Sequence, residues 1–382
     1  MTSIAETSTA KGTRSKMNRR LRGAGNRTVV SLLVGVVCVI FILPLIYAIS
    51  VAFTPSDTTS IVGAPPWPAS ARQFLYTDPT TGQASEKYEY IVPNWDGQGL
   101  GHTKILVELN QNYPPVASDF VDPANPGTII KWGDKPGENV YELSYVWDVG
   151  ITLDNFGSAW DKMGAAEGGF PLLFRNTLII AVLGTIGAVS SAVIVAYGFA
   201  RFRIPGKDIL FLILISTIMI PFQVTLIPTF LVFQAIGWTG TWLPLIVPHF
   251  FSNAYNVFLL RQYFMGLPRE LDEAAQMDGA SPLRILFSVI IPQSWPAIAA
   301  VTLFHFFFAW NDFLNPLIYL SGSADLWPIA VGLNNFNTTF RNAGTPAIIQ
   351  AGSILAMLLP VVIFFFSQRV FMRGVVISGV EK

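Results

Sequence analysis

The side chains best able to do chemistry crowd into one stretch, Gly266-Leu267-Pro268-Arg269-Glu270-Leu271-Asp272-Glu273-Ala274-Ala275-Gln276-Met277-Asp278-Gly279-Ala280-Ser281-Pro282, which runs on to Pro292. Its acids do not form a catalytic set. The whole chain holds three histidines and one cysteine, Cys38, all scattered, which excludes a zinc or iron–sulfur site. No accessible Ser/His/Asp or paired-carboxylate array is present, and no Gly-x-x-x-x-Gly-Lys-Ser/Thr phosphate loop, so the chain is not itself an ATPase. The local physics points to docking. Pro268 suits a first helical turn, and Glu270, Asp272 and Glu273 favour its positive end. Leu271, Ala274 and Ala275 share a face. Gly279 suits a left-handed stop, Ser281 a cap and Pro282 a first helical position. Leu283, Leu286, Phe287 and Ile290 then predict an amphipathic stripe that Pro292 ends. The expectation is two short helices with a sharp bend and a ridge of small residues.

The elements that must hold this stretch are apolar. Of 382 residues 52% are hydrophobic and 13% charged, about half the charge of an ordinary soluble domain. Lys+Arg and Asp+Glu are equal at 24 each, so net charge gives no argument for nucleic acid. A helix needs about 20 apolar residues to cross a bilayer. Six segments qualify: Val29–Phe53, Leu172–Phe199, Ile209–Phe233, Trp242–Leu260, Trp295–Leu320 and Ala347–Phe371. The first apolar run is too long for a cleavable signal peptide and reads as a retained anchor. Gly184, Ala188, Ala192, Ala196 and Ala200 recur every fourth residue in the second span, a spacing that lets helices approach closely.

Basic residues orient the spans. Lys11, Arg14, Lys16, Arg19, Arg20, Arg22 and Arg27 precede the first; Arg201, Arg203 and Lys207 follow the second; Arg261, Arg269 and Arg284 follow the fourth; Arg369, Arg373 and Lys382 end the chain. The positive-inside rule then puts both termini in the cytoplasm and Thr54–Phe170 outside. The expected organisation is a basic tail over 1–28, a first span over 29–53, an outer segment over 54–170, a membrane core over 171–371 containing the loop 266–292, and a cytoplasmic tail over 372–382. The outer segment has strand-like alternation at Lys87–Val92, Lys104–Leu109, Thr128–Trp132 and Val140–Trp147, with Tyr141, Leu143, Tyr145 and Trp147 on one face. Pro/Gly/Asn clusters separate these runs. This predicts a β-rich insertion; a loop with little regular structure is the open alternative. The fold class is an all-α polytopic membrane protein of six transmembrane helices with a β-rich extracytoplasmic insertion between helices one and two.

The loop resembles a family signature. Glu-Ala-Ala, three residues, Gly, nine residues, then Ile-any-Leu-Pro marks permease subunits of ATP-binding-cassette importers; here it reads Glu273-Ala274-Ala275, Gly279 and Val289-Ile290-Ile291-Pro292, with Val289 and Ile291 departing from the consensus. Ala196-Tyr197-Gly198-Phe199-Ala200-Arg201, Met219 to Pro228, Asn256 to Gln262 and Trp310 to Leu317 look like the carbohydrate-uptake, maltose-type (MalG-like) branch. The resemblance is close over Leu153–Lys382, loose over Val29–Phe53, and absent over Arg72–Trp147. It implies a coupling helix built from Glu273, Ala274, Ala275, Asp278, Gly279 and Pro292 and seated in a cleft of an ATPase subunit. It further implies a sister permease, two ATPase subunits that hold ATP and magnesium, and an extracytoplasmic sugar-binding protein. This chain would bind no cofactor or metal itself. The location implied is the inner or plasma membrane.

Several polar groups fall at membrane depth. Asp312 is the one acid well inside a predicted span, and intramembrane acids default to a functional hypothesis; a capping or rim role is the alternative. Gln223, Asn253 and Asn311 join it as candidates for the solute path, with His249, His305 and Asn315 as further polar groups. The polar connection Ser321–Pro346 suggests a contact loop for a binding protein, with Gly332, Asn334 and Asn335 as its candidates by the same resemblance. Two rivals remain: a secondary transporter, which should show repeats with broken helices, and a membrane-anchored receptor or enzyme working through the outer domain. No break is evident in the hydropathy pattern, and either rival leaves the signature loop unexplained.

Overall fold

The computed structural model describes residues 30–61, 63–78, 83–93, 103–109, 119–131, 144–163, 168–339 and 345–376. The chain divides into two compact units, Met1–Thr152 and Leu153–Lys382. The expected tail 1–28 lies outside the described residues, as does the C-terminal tail beyond Val376.

The first unit begins with helix α1, Val30–Phe53, whose 24 residues are long and apolar enough to cross a membrane. After it come strands β1 (Ala69–Ala71), β2 (Gln73–Thr77), β3 (Ala84–Pro93), β4 (Thr103–Glu108), β5 (Asp119–Asp122), β6 (Asn125–Lys131), β7 (Ser144–Tyr145) and β8 (Trp147–Val149). β1 and β8 pair antiparallel with Ser70 opposite Asp148, so the insertion begins and ends at one place. Its exit is tied back to the helix by the Thr152 amide, which donates to the Phe53 carbonyl at 2.9 Å. The larger sheet runs β2-β3-β4-β5-β6, with β7 also on β3. Leu106, Val107, Phe120 and Val121 are fully buried, and Tyr90 packs between Phe120 and Tyr145. The two edges of the insertion are further clasped by Arg72, which holds Asp148 bidentately at 2.9 and 2.7 Å.

The insertion is therefore β-rich. The run expected over 140–147 as one strand is broken at Val146 in its described part. The Val146 amide donates to Glu89 while its carbonyl accepts from Arg72, so the chain changes sheets there. Tyr145 and Trp147 fall on different sheets, although their rings remain 5.5 Å apart. Tyr141 and Leu143 lie outside the described residues.

The second unit is helical: α2 (Asp154–Lys162), α3 (Gly169–Arg201), α4 (Lys207–Met219), α5 (Phe222–Ala235), α6 (Leu243–Gly266), α7 (Glu270–Met277), α8 (Pro282–Gln293), α9 (Trp295–Trp310), α10 (Leu314–Tyr319), α11 (Ile329–Thr339) and α12 (Thr345–Val376). Helix α3 is its axis and packs against α6 and α9. Its small-residue row explains the close fit. Ala188, Ala192 and Ala196 are fully buried, and a side chain at Gly187 would meet the Phe250 ring at 2.6 Å.

The expected third span is bent, with α4 and α5 meeting at 97°; α8, which precedes the expected fifth span, meets α9 at 82°, and that fifth span is itself divided at Asn311–Phe313 between α9 and α10. Residues before proline avoid the helical region; Ile220 is accordingly extended (φ −75°, ψ 117°) and Pro221 begins the next segment. The expectation of unbroken helices is thus corrected. Helices α1, α3, α6 and α12 are each long and apolar enough to cross a membrane, α6 with an interruption at Ser252–Asn253, and each bent pair could supply one more span.

Candidate functional site

The signature loop folds as two short helices. Glu270, Asp272 and Glu273 occupy the first turn of α7. Gly279 has φ +79°, and the Ala280 amide reaches back to the Ala275 carbonyl at 2.9 Å, the left-handed stop that favours glycine. Nothing lies within 4 Å of where a Gly279 side chain would start, so crowding there requires a second molecule. The Ser281 hydroxyl accepts from the Arg284 amide at 3.4 Å, and Pro282 opens α8.

The second helix departs from expectation. Pro292 does not end it; residues Leu286–Ile290 form a π turn, and the helix runs on through Pro292 to Gln293. A π turn has a longer repeat than an α turn and slips the side-chain register. The expected stripe consequently divides: Leu286 and Ile290 are buried with Ile285, whereas Leu283 and Phe287 are exposed.

On α7 the exposed face carries Glu273, Ala274, Gln276, Met277, Asp278 and Gly279, with Met277 at 89% exposure. Ala275 packs inward on an apolar cluster, and of the acids of α7 Asp272 alone is buried. Its carboxylate Oδ2 lies 3.1 Å from Nε of Arg201, the last residue of α3, and both side chains are almost wholly covered. The two charges are close but misaligned for a hydrogen bond. Burial pushes the Asp272 carboxyl up from its ordinary value, against the pull of Arg201 and Arg269. Arg201 also donates from Nη2 to the Leu267 carbonyl at 3.2 Å. One turn earlier on α3, the Tyr197 hydroxyl donates to the Pro282 carbonyl at 3.2 Å. Sequence reasoning treated Asp272 only as a dipole partner; the Arg201 at the end of the Ala196–Arg201 motif was the unread signal.

The intramembrane candidates separate. Asn253 accepts from the amides of Tyr255 and Asn256 and so caps the helical segment that follows it. Asn311 donates to the Phe307 carbonyl at 2.8 Å, and Gln223 is exposed on α5. Asp312 accepts from the Asn315 amide and side chain at 3.3 and 3.0 Å, which caps α10. It also lines a pocket of about 260 Å³ with His249, Asn315, Thr225, Thr229 and Tyr319. The structure therefore brings one of the four candidates, Asp312, to a cavity that sequence reasoning did not assemble. His249 packs edge-to-face on His305 with centroids 4.9 Å apart, and Asn256 Nδ2 lies 3.3 Å from His305 Nδ1.

The connection 321–346 is not an open loop over its described part. Helix α11 occupies it, and Gly332 is buried where any side chain would run into Leu173. Asn334 and Asn335 are half-buried on that helix; Asn337, Thr338 and Thr339 are its exposed residues.

The family model for "Binding-protein-dependent transport system inner membrane component" matches residues 184–377, which contain both the loop and the pocket. The chain is 36% identical over 231 residues to the osmoprotective compounds uptake permease protein GgtD of Synechocystis sp. (strain ATCC 27184 / PCC 6803 / Kazusa), covering 60% of this chain and 75% of that one. It is 30% identical over 231 residues to the arabinooligosaccharides transport system permease protein AraQ of Halalkalibacterium halodurans, covering 60% and 80%. A bacterial ABC transporter involved in the import of the acidic polysaccharide alginate shares its fold, with a TM-score of 0.57 at 19% identity over 92% of this chain and 96% of that one. The chain belongs to the binding-protein-dependent transport system inner membrane components, and it is a non-catalytic permease subunit of an ABC importer.

Proposed function

We propose that this subunit pairs with a sister permease to form the membrane path for a sugar or oligosaccharide. An extracytoplasmic binding protein delivers the solute, and two ATPase subunits, which hold ATP and magnesium, engage the 266–292 loop. Glu273, Ala274, Ala275, Asp278 and Gly279 form the docking helix, and Pro292 lies in the helix that joins it to the membrane. The observation that carries this reading is the exposed face of α7, which presents Glu273, Ala274 and Met277 beside a left-handed Gly279. An apolar side chain as exposed as Met277 suits a partner's groove.

The sugar class is supported by relatives such as the arabinooligosaccharide permease and the alpha-glucoside transport system permease protein AglG of Rhizobium meliloti. It is also supported by the pocket, where Asp312, Asn315, two threonines and Tyr319 offer hydrogen bonds beside aromatic faces. Gln223, Asn253 and Asn311 are secondary candidates for this path. Asn334 and Asn335 are candidates for the binding-protein face, with Gly332 supporting them from within.

The distribution of basic residues supports six spans, each bent pair counted as one, with both termini in the cytoplasm and the β-rich insertion outside. Cysteines placed singly at Ser85 and Ala280 on a Cys38→Ser background test this. An impermeant thiol reagent added outside should label the first and spare the second; the reverse pattern overturns the orientation. The functional reading is tested by affinity purification in mild detergent followed by uptake in proteoliposomes. A stoichiometric ATPase and ATP-dependent sugar uptake are expected, and a complex reproducibly lacking an ATPase defeats the proposal.

A further inference from the structure

The end of α3 touches the 266–292 loop at three separated points. Arg201 donates to the Leu267 carbonyl just before α7, and its guanidinium faces Asp272 within the first turn of α7. Tyr197 donates to the Pro282 carbonyl at the start of α8. The loop's outer face remains free for a partner, while its inner face is fastened to the axis of the bundle. The fastening is built from groups that resist separation. Arg201 and Asp272 side chains are 7% and 12% exposed, so pulling them apart leaves two largely covered charges. The apolar cluster of Ala196, Tyr197, Ala200, Phe264, Ile285 and Leu286 covers one side of the pair, and the other side borders a pocket of about 310 Å³ lined also by Arg269, Glu273 and Gln276. An apolar pair of similar volume would hold as well or better for stability alone. The charged pair adds direction: a planar guanidinium contacts one carboxylate and one carbonyl and so sets the angle of α7 on α3.

We propose that Arg201 and Tyr197 are positioning residues for energy coupling, fastening α3 to the coupling loop so that displacement of the loop is passed to the central helix of the bundle. The proposal rests on the reading of 266–292 as the coupling loop. It assigns a task to the Ala196–Arg201 motif beyond close helix packing. Arg201 sets the angle of the first helix of the loop, and Tyr197 holds the start of the second, so the two helices swing together when a partner moves them.

The test uses the full complex in proteoliposomes, with uptake and ATP hydrolysis measured in the same vesicles. The double variant Arg201→Met/Asp272→Leu removes both charges and leaves none stranded. It should still co-purify with the ATPase, yet transport about tenfold less solute per ATP hydrolysed, within the range of ordinary coupling energies. Arg201→Lys keeps the charge and should recover part of that loss. Tyr197→Phe removes one hydroxyl, leaves the bundle packed, and should lower the ratio about two- to fivefold. A lowered ratio with intact assembly is the signature, because a merely destabilised bundle loses uptake and hydrolysis together. Should the double variant not assemble, Tyr197→Phe decides alone. Parental ratios in every variant that assembles overturn the proposal. Glu273→Lys, on the loop's exposed face, separates the two ideas. If it uncouples while the α3 variants do not, only the fastening falls; if it too transports like the parent, the coupling-loop reading itself fails.

Discussion

Two arginine–aspartate pairs hold this protein's two units in opposite ways. In the first unit Arg72 meets Asp148 through two well-formed hydrogen bonds at 2.9 and 2.7 Å, and both side chains stand nearly half exposed. In the second, Arg201 and Asp272 lie 3.1 Å apart with poor alignment, almost entirely covered. Geometry alone would rank the first pair the stronger. Water reverses the ranking. An exposed pair exchanges one good set of hydrogen bonds for another when it opens, whereas side chains as covered as Arg201 and Asp272 regain their hydration less readily. The carboxyls record the difference. Hydrogen bonding from Arg72 holds Asp148 below the usual carboxylate range, while burial pushes Asp272 above it.

The sharpest way to break this comparison is to remove each arginine. Arg201→Met leaves the largely covered Asp272 with Arg269 as its remaining nearby cation. A clear drop in the melting temperature of the purified subunit is expected, together with loss of uptake. Arg72→Met leaves Asp148 free to hydrate but takes from the covered Glu89 a cation 3.8 Å away, so a smaller drop in melting temperature is expected, with uptake at the parental level. Equal losses in the two variants would mean that solvent exposure does not decide the matter.

Next in size is the exposed side of the same loop. Gly279→Val places a branched residue at φ +79°, a strain of about 1–2 kcal/mol, in otherwise open space. Uptake and ATP hydrolysis in the assembled complex should fall while the isolated subunit melts almost normally. A large loss of stability in the subunit alone would show that the loop's outer face is structural.

Acid should then separate the pairs in sign. Asp148, with its folded value lowered, contributes stability that is present above the unfolded value of about 3.9 and is lost only as pH falls through the lower folded value. Asp272, with its folded value raised, contributes stability that is present below the unfolded value and is lost as pH rises through the folded one. Mild acid therefore protonates Asp272 first. Arg201, Arg269, Glu273 and Tyr197 face it, and none of them takes over as a counter-charge for Arg201 in the same position. Transport per ATP should decline on mild acidification, before any change in the β-type circular dichroism of the first unit. A β signal lost at higher pH than the coupling ratio would contradict the assignment.

Salt gives the smallest effect. Raising ionic strength from about 0.15 M to about 1 M shortens the screening length from about 8 Å to about 3 Å. The exposed Arg72–Asp148 contact should loosen slightly, visible as faster amide exchange at Ala71 and Trp147, with the coupling ratio unchanged.

What was legible followed from range. The stop at Gly279, the cap at Ser281 and the proline at the start of α8 all act within about one helical turn, so residue types at fixed spacing announce them. The strands β3 and β4 were legible because alternation is a property of consecutive residues. β1 and β2 were not, since three and five residues carry too little pattern. The π turn at Leu286–Ile290 was missed because nothing in an i, i+3, i+4 stripe shows where a helix will slip. The break before Pro221 had a local cause in the Ile220-Pro221 step, which the continuous apolar run concealed.

By itself, then, the sequence determined that the chain is built for a bilayer, that a β-rich segment interrupts it, and that one acidic loop carries a docking signature. These are sums over neighbours: hydropathy across a span, alternation along a strand, caps at a turn. Only the tertiary structure decided which acid of that loop turns inward, that Asp312 shares a pocket with His249 and Asn315, and that Gly332 packs on Leu173. Arg201 and Leu267 are 66 positions apart and Tyr197 and Pro282 are 85. Contacts at that separation arise because α3 packs closely on its neighbours through its row of small residues, and no local pattern contains them.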